Sequence, residues 1–291
     1  MYVVAGVTGH TGSAVASELL ARGEPVRVIV REEGKGAEWK KKGAEVAVAS
    51  LDETGGLTRA LSGASGAYLL IPPQYTAEDL IAALRRTVEE VARSVRSSGI
   101  RRVVLLSSIG AQHARGTGPI QMLHHAERAI GDAVKIFTSV RAAYFLENWA
   151  GVLRDAQEKG VLPSFLTPGR AIPMVGTRDV GRVAAEMLLD PAEGRRVVEL
   201  SGPKEWSPEN VAAELSKLLR REVRVQAAPL EAVVPAMTAA GMSAGVAKTF
   251  QEMFGAVNSG LVAFEGGPAI RRRGSLGPAD VLGSLIAGGR G

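Results

Sequence analysis

The chain has 291 residues, of which 46% are hydrophobic and 22% are charged, as is usual for a globular protein of one or two domains. It contains no cysteine, which excludes a disulfide framework, a cysteine zinc site, an iron–sulfur cluster and a cysteine nucleophile. The formal net charge of +5 favours an anionic partner but does not predict contact with nucleic acid, which needs a clustered basic face and a recognisable motif.

Nothing in the hydropathy pattern predicts a membrane span or a secretion signal. The sequence has no run of about 18 apolar residues. The start of the chain, Met1 to Gly6, lacks the charged beginning and long apolar middle of a signal peptide. We therefore expect a cytoplasmic protein without membrane contact. The tight basic run Arg271-Arg272-Arg273 is predicted to be a solvated loop.

Short apolar runs alternate with segments of helical periodicity through the N-terminal half of the chain. The run 2–7 predicts a buried strand, and 10–22 predicts a helix with one apolar face. The same patterns predict strands at 25–30, 46–51, 67–71 and 103–107, a long helix at 77–98, and a continuation of the alternation through 134–141. This order predicts an α/β fold with a Rossmann-type, doubly wound parallel sheet.

The pattern loosens after residue 150, where proline and glycine clusters interrupt it. The segment 207–260 is predicted to be mostly helical, and Ser207-Pro208 opens it with a capping residue before a proline. We predict a sheet domain over 1–150 and a smaller, mostly helical C-terminal region over 151–291. Some segments of that region are expected to return to the sheet domain.

Three glycines mark the turn from the first predicted strand into the first helix, in the segment Gly6-Val7-Thr8-Gly9-His10-Thr11-Gly12. Glycine permits a tight turn and the close approach of a pyrophosphate, and the helix that follows offers free N–H groups to phosphate. This context predicts a dinucleotide site in the N-terminal domain. A tight turn without a ligand is the alternative. Each glycine loses more backbone entropy on folding than another residue would, and a simple turn does not need three of them.

The end of the second predicted strand distinguishes between nicotinamide cofactors. NAD-binding folds usually carry an acidic residue there for the ribose 2′-hydroxyl. This chain has Arg31, whose guanidinium suits a 2′-phosphate, so we predict NADP(H). An ordinary surface arginine is the alternative, and Glu32 and Glu33 directly after it favour a free hydroxyl. Lys35 is a second candidate for the phosphate.

Several further motifs together resemble those of the NmrA-like atypical short-chain dehydrogenase/reductases over nearly the whole chain. They are Leu51-Asp52, Ser107-Ser108-Ile109-Gly110, Thr138-Ser139-Val140-Arg141, Phe145-Leu146-Glu147-Asn148, Arg178-Asp179-Val180-Gly181 and Leu200-Ser201-Gly202-Pro203. The stretch from Phe254 to Phe264 is most similar to the quinone-reductase and triphenylmethane-reductase-like subgroup.

The resemblance implies an NADPH site that spans the ends of several strands. It implies that the pyrophosphate is held by Gly6, Thr8, Gly9, His10, Thr11 and Gly12, and the 2′-phosphate by Arg31. It implies that Leu51 and Asp52 flank the adenine and that Ile71, Pro72 and Pro73 border the nicotinamide ribose. The nicotinamide itself is implied to lie against Ala142, Tyr144 and Phe145. Core packing is the alternative for Ile71 and Phe145.

The sequence lacks the acid–base pair of classical members of this superfamily, a Tyr followed four residues later by Lys. No tyrosine of the chain has a lysine at that position; Tyr144, for example, is followed by Asn148. Other relatives carry Lys or His four residues before a glutamate in a helix. Glu127 resembles that glutamate, but the residue four places before it in this chain is Leu123. His124 is one place late, which turns it by about 100°; it remains a candidate catalytic residue, with an ordinary helix histidine as the alternative.

Composition also bears on a metal site and on an apolar pocket. The four histidines and the absence of cysteine give no set of metal ligands, so no metal site is expected. Met237, Met242 and Phe250 are candidates for the lining of an adaptable apolar pocket, with ordinary core as the alternative.

The first hypothesis is an NADPH-dependent reductase of a quinone-like or conjugated small molecule, because an acceptor with a stabilised product needs little side-chain acid. The second is a non-catalytic NADP(H)-binding redox sensor, which is favoured by the missing Tyr/Lys pair and would act on a protein partner. A reductase of a larger natural product is a third. We expect a monomer or a homodimer.

Overall fold

The computed structural model describes residues 1–288 and contains a large sheet with helices on both faces. The strands are β1 (Tyr2–Val4), β2 (Val26–Val30), β3 (Glu45–Val48), β4 (Gly66–Leu69), β5 (Arg102–Ser108), β6 (Ile136–Ala142), β7 (Tyr144–Phe145), β8 (Val161–Ser164), β9 (Ile172–Val175), β10 (Arg195–Ser201), β11 (Glu205–Trp206), β12 (Arg224–Ala227) and β13 (Ile270–Arg273). The α-helices are α1 (His10–Ala21), α2 (Ala37–Lys41), α3 (Thr54–Leu61), α4 (Leu80–Ser98), α5 (Gln121–Gly131), α6 (Leu153–Lys159), α7 (Thr177–Leu189), α8 (Pro208–Leu219), α9 (Val233–Ala239), α10 (Ala244–Ser259) and α11 (Pro278–Gly288). Short 3-10 helices lie at Glu33–Gly36, Gly118–Ile120, Leu146–Val152 and Leu230–Ala232.

The main sheet has eight strands in the order β13-β10-β6-β5-β4-β1-β2-β3, and every neighbouring pair is parallel. The order 3-2-1-4-5-6 of its first six strands is that of a doubly wound dinucleotide fold, in which ligands bind where the order reverses, between β1 and β4. The predicted α/β, Rossmann-type parallel sheet is therefore confirmed.

Apolar residues of the helices cover the two faces of this sheet. Val15 and Leu19 of α1 and Val183 of α7 belong to the core on one face. Val88 of α4 and Ile130 of α5 belong to the core on the other. Strands covered on both faces must be apolar or internally paired, and β6 is buried at all seven positions.

Several element ends differ from the predicted ones for local reasons. The first strand ends at Val4 rather than at residue 7, because Gly6 adopts a φ of +71° and turns the chain away from the sheet. The long helix begins at Leu80 rather than at 77, because the Asp79 side chain accepts the Ala82 N–H at 2.9 Å and caps it.

The chain after residue 150 both extends the main sheet and builds a second core. Strands β10 and β13 continue the sheet beyond β6. The other strands form one sheet of β11, β9 and β7 and one of β12 and β8. The second core packs around residues such as Trp149, Leu162, Phe254 and Leu282. The domain boundary at residue 150 stays a prediction.

The prediction of a solvated loop at Arg271–Arg273 is wrong. These residues form most of β13, because their backbone pairs with Glu199–Ser201 of β10. All three side chains remain exposed. Charged side chains on an edge strand disfavour its pairing with another chain.

A buried ionic network ties α5 to β5 and β6. Arg141 of β6 donates to both carboxylate oxygens of Glu127 on α5, at 2.9 and 2.7 Å, and the Ser107 hydroxyl of β5 donates to the same carboxylate at 2.6 Å. The third arm of the guanidinium reaches Glu265 at 2.6 Å. Burial lowers the pKa of Arg141, but its bonds to Glu127 and Glu265 outweigh burial and raise it. The network joins four separate segments of the chain: β5, α5, β6 and the segment after α10.

The contact between α1 and α7 gives a first testable prediction. A Cβ added to Gly181 would overlap with Ala14 and lie 2.9 Å from the backbone N of Val15. We expect Gly181→Ala to lower the free energy of unfolding by about 1–3 kcal/mol in urea, because overpacking outweighs the gain in helix propensity. Gly151→Ala is the control, because no atom lies within 4 Å of its added Cβ; an equal loss in both variants would contradict the packing argument.

The buried network gives a second prediction. Glu127→Gln keeps the side-chain shape but removes the charge that pairs with Arg141, whose side chain is only 6% exposed. We expect a loss of about 3 kcal/mol of unfolding free energy, since the buried guanidinium then has only the half-exposed Glu265 as a counter-charge.

Glu265→Gln is the matched control for that variant. It removes the other carboxylate bound to Arg141, but from a side chain that is 55% exposed. We expect a loss of about 1 kcal/mol or less, because exposed ion pairs are weak. Losses of equal size in the two variants would show that burial does not determine the strength of this network.

Candidate functional site

A largely apolar cavity of about 320 Å³ lies beyond the carboxyl ends of β4, β5 and β6. Six residues predicted to surround the nicotinamide and its ribose line it: Ile71, Pro72, Pro73, Ala142, Tyr144 and Phe145. They come from two distant segments that follow β4 and β6, and the parallel sheet brings these segments to the same edge. A cavity at this edge is where open α/β sheets bind their ligands.

Sequence reasoning missed much of the cavity wall. The missed residues come from the 3-10 turn and α5, from β9, from α10 and from the segment after it: Ile120, Leu123, Ile172, Met253, Val257 and Val262. Of the three residues predicted for an adaptable pocket, Phe250 lines the cavity, whereas Met237 and Met242 pack against the same core clusters as Phe250 without lining it. Only tertiary contacts bring these side chains together, so no local pattern identifies them.

Few polar side chains reach the cavity, and the two serines among them are bound to other protein groups. Ser107 donates to Glu127, and the Ser108 hydroxyl donates to the Ile109 carbonyl at 3.0 Å. Tyr144 and Asn148 are the other polar side chains on the wall. Burial raises the pKa of Tyr144 to about 12, and the neighbouring Asn148 side chain partly opposes this rise.

The glycine turn, Gly6 to Gly12, joins β1 to α1. Gly6 has a φ of +71°, and a Cβ on Gly12 would overlap with the backbone of Ala5 and Gly6, so the turn itself requires both glycines. Gly9 differs, because its φ is −107° and an added Cβ would meet only the Gly6 carbonyl oxygen, at 3.5 Å. Gly9 precedes α1 and provides no side-chain cap for the N–H groups there.

The remaining residues predicted for the pyrophosphate, Thr8, His10 and Thr11, lie within or directly after this turn. Thr11 is buried, whereas Thr8 and His10 are exposed. His10 is the first residue of α1. The described helix therefore begins at His10, as predicted from the sequence, and includes the last glycine of the segment, Gly12.

Arg31 directly follows β2 and is exposed. Within residues 1–288 its guanidinium has neither a hydrogen bond nor an ion pair, and the Lys35 side chain likewise has none. Glu32 and Glu33 are also exposed. Both cations are thus free to bind an anion at the end of β2.

Leu51 and Asp52 follow β3, and Asp52 has a partner within the protein. Its carboxylate accepts a hydrogen bond from the buried Thr87 hydroxyl of α4, which in turn accepts one from Gln74 at 2.9 Å. Leu51 packs at the edge of the core beneath α3 and α4. Asp52 therefore ties this loop to α4, whatever else it contacts.

His124 is not among the residues that line the cavity, and its role as a candidate catalytic residue stays a prediction. Leu123 lines the cavity instead, and His124 is turned by about 100° around the helix. Its Nδ1 lies 3.0 Å from the Ala111 carbonyl oxygen, and its side chain borders a polar crevice with Arg128 and Arg195. Its role in the described structure is to join α5 to the loop after β5.

Neither a cluster of metal ligands nor a membrane-spanning helix is present among the described residues. Between residues 1 and 288, no three histidine, aspartate or glutamate side chains converge in a way that could hold a metal ion. Within the same range, no helix combines the length and the apolar character needed to cross a bilayer.

Several known proteins are similar to this chain in sequence or in fold. The NAD(P)H azoreductase of Xenophilus azovorans is 27% identical over 257 residues, which cover 87% of this chain and 86% of that protein. An NADPH-dependent quinone oxidoreductase of Escherichia coli has a TM-score of 0.78 at 22% identity, with 99% of both chains covered. The triphenylmethane reductase of Citrobacter sp., solved with NADP(H), has a TM-score of 0.78 at 21% identity, with 98% and 96% covered.

The model of the NmrA-like family matches residues 2–264, which is most of the chain. This match extends from the first strand through the segment after α10 and so includes both the glycine turn and the cavity. The chain therefore belongs to the NmrA-like family.

Proposed function

We propose that this protein is an NADPH-dependent reductase of quinone-like or other conjugated small molecules. The observation that carries the proposal is the apolar cavity at the carboxyl ends of β4 to β6, on the same sheet edge as the glycine turn. Relatives named as an azoreductase and a quinone oxidoreductase support the same reaction class.

The residues at the glycine turn and at the end of β2 fit NADPH. Gly9 is not required by the packing of the turn, so its missing side chain leaves room for a pyrophosphate against the free N–H groups of α1. Arg31, which has no described partner, would hold the 2′-phosphate. Thr8, His10, Thr11 and Lys35 are proposed to complete the phosphate contacts.

The other proposed cofactor contacts continue along the sheet edge. Leu51 and Asp52 are placed beside the adenine, and Ile71, Pro72 and Pro73 beside the nicotinamide ribose. Ala142, Tyr144 and Phe145 are proposed to lie against the nicotinamide, where they line the cavity. When bound there, NADPH would supply a hydride.

The cavity wall favours an acceptor with a delocalised electronic system. Its apolar side chains would exclude water and suit a flat ring system, and none of the described residues that line it is a carboxylate or a cation. A conjugated acceptor spreads the charge that develops on reduction, so it needs less help from a side-chain acid than an isolated ketone does.

Turnover distinguishes this function from cofactor sensing. The test is NADPH consumption with a panel of quinones, enones and dyes, measured on protein shown to bind NADPH. We expect consumption with at least one quinone. NADPH binding without turnover of any acceptor would contradict the reductase and favour the redox sensor.

Arg31→Ala tests the cofactor assignment. We expect NADPH affinity to fall by about 1.5–3 kcal/mol, because a charge-assisted hydrogen bond to the 2′-phosphate is lost, while NADH affinity stays the same. Titration calorimetry with both cofactors measures the difference. Arg154→Ala, which removes an exposed arginine of α6, should change neither affinity. Equal losses for NADPH and NADH in Arg31→Ala would refute a 2′-phosphate contact.

A further inference from the structure

Tyr144 and Asn148 are neighbouring polar residues on a largely apolar cavity wall. After β6 ends at Ala142, Tyr144 enters β7 and Asn148 follows in the 3-10 helix. Both side chains line the cavity, and the Asn148 side chain lies close enough to the Tyr144 phenol to act on its pKa. The Tyr144 ring packs against the buried Trp149, with ring centroids 6.3 Å apart. The ring is thus held by packing, and the Asn148 amide lies beside the phenol.

The remaining side-chain hydroxyls on the cavity wall have their hydrogens committed elsewhere. Ser107 donates its hydrogen to Glu127, and Ser108 donates to the carbonyl oxygen of Ile109. Among the residues that line the described cavity, this leaves Tyr144 as the hydroxyl that is still able to donate to a ligand.

The Tyr144 phenol can act both as an acceptor and as a donor. Asn148, which lines the same cavity wall, has an amide N–H that suits the phenolic oxygen. When the oxygen accepts from Asn148, the phenolic hydrogen is left for a second partner. With a pKa of about 12 the phenol keeps that hydrogen at neutral pH.

We infer that Tyr144 is a catalytic hydrogen-bond donor to the carbonyl oxygen of the acceptor, and that Asn148 is the residue that positions it. This inference rests on the proposed reductase function and specifies its substrates. In the reduction of a quinone, NADPH is oxidised and a hydride bonds to the quinone, so that two electrons enter the ring system and negative charge develops on oxygen. Tyr144 stabilises this oxyanion while keeping its own proton, and one proton from water completes the hydroquinone.

The inference predicts a preference between acceptor classes. A quinone presents an oxygen to the Tyr144 hydroxyl at the moment when charge develops on it. A cationic triarylmethane dye accepts the hydride at carbon, loses its charge and has no oxygen at the reacting centre. Loss of the hydroxyl should therefore affect quinone reduction far more than dye reduction.

Tyr144→Phe tests this preference, because it removes the hydroxyl and keeps the ring against Trp149. With 2-methyl-1,4-naphthoquinone and crystal violet as acceptors, we expect kcat for the quinone to fall about 100-fold with little change in KM. The fall should exceed that for the dye by at least tenfold. Tyr75→Phe is the control, since it removes an exposed hydroxyl that does not line the cavity, and should change neither rate.

Asn148→Asp tests the positioning role with almost the same side-chain shape. A carboxylate has no N–H to donate and instead accepts the phenolic hydrogen, which takes it away from the acceptor. We expect this variant to reproduce the loss of kcat for the quinone seen in Tyr144→Phe. NADPH affinity and the melting temperature, measured on both variants, exclude a loss of cofactor or of folding as the cause.

The outcomes separate this inference from the proposed function. Wild-type protein that binds NADPH but reduces neither of these acceptors nor any other of the panel overturns the reductase and the role of Tyr144 with it. Active wild type with a Tyr144→Phe variant that retains quinone kcat within twofold overturns only the role of Tyr144. Equal losses for quinone and dye, or a wild type that reduces only the dye, also overturn it. A quinone-specific loss supports it.

Discussion

The ion pair between Arg141 and Glu127 connects the segments that surround the cavity. It joins β6 to α5, and through Ser107 and Glu265 it also holds β5 and the segment after α10. Each of these segments contributes a nearby residue to the cavity wall: Ala142, Leu123, Ser108 and Val262. Because a buried charge without its partner is strongly destabilising, these four segments are constrained to stay together. The shape of the cavity therefore depends on a network that lies outside it.

The cavity combines a largely apolar wall with a few polar side chains, of which the Tyr144 hydroxyl is not committed to another protein group as the two serines are, and this combination restricts the chemistry that we propose. An apolar wall strengthens any hydrogen bond made inside it, because water does not compete there. Burial keeps Tyr144 protonated, so the phenol acts as a donor rather than as a base. The proposed acceptor is thus flat, conjugated and able to receive a hydrogen bond at the oxygen where charge develops.

The glycine turn and the helix that carries His124 show which features a residue pattern predicts and which it does not. The pattern Gly6 to Gly12 predicts the strand–turn–helix unit that is observed, because φ angles and helix starts are local properties. Which glycine leaves room for a ligand is not local: Gly12 is required by contact with the β1 end, and Gly9 is not. Likewise, His124 and Leu123 are neighbours in sequence, but the packing of α5 on the sheet places only Leu123 at the cavity.

Residue patterns alone predicted the alternation of strands and helices, the glycine turn and the residues that follow each strand. These features depend on side-chain periodicity and backbone preference over a few residues. The sequence also carried the resemblance to the NmrA-like family. Only the tertiary structure decided which distant side chains form the cavity, because Ile172, Met253 and Val262 reach it through long-range packing. The same long-range packing pairs Arg141 with Glu127. Tyr144 and Asn148 are only four residues apart, but the path of the chain after β6 determines that both line the cavity.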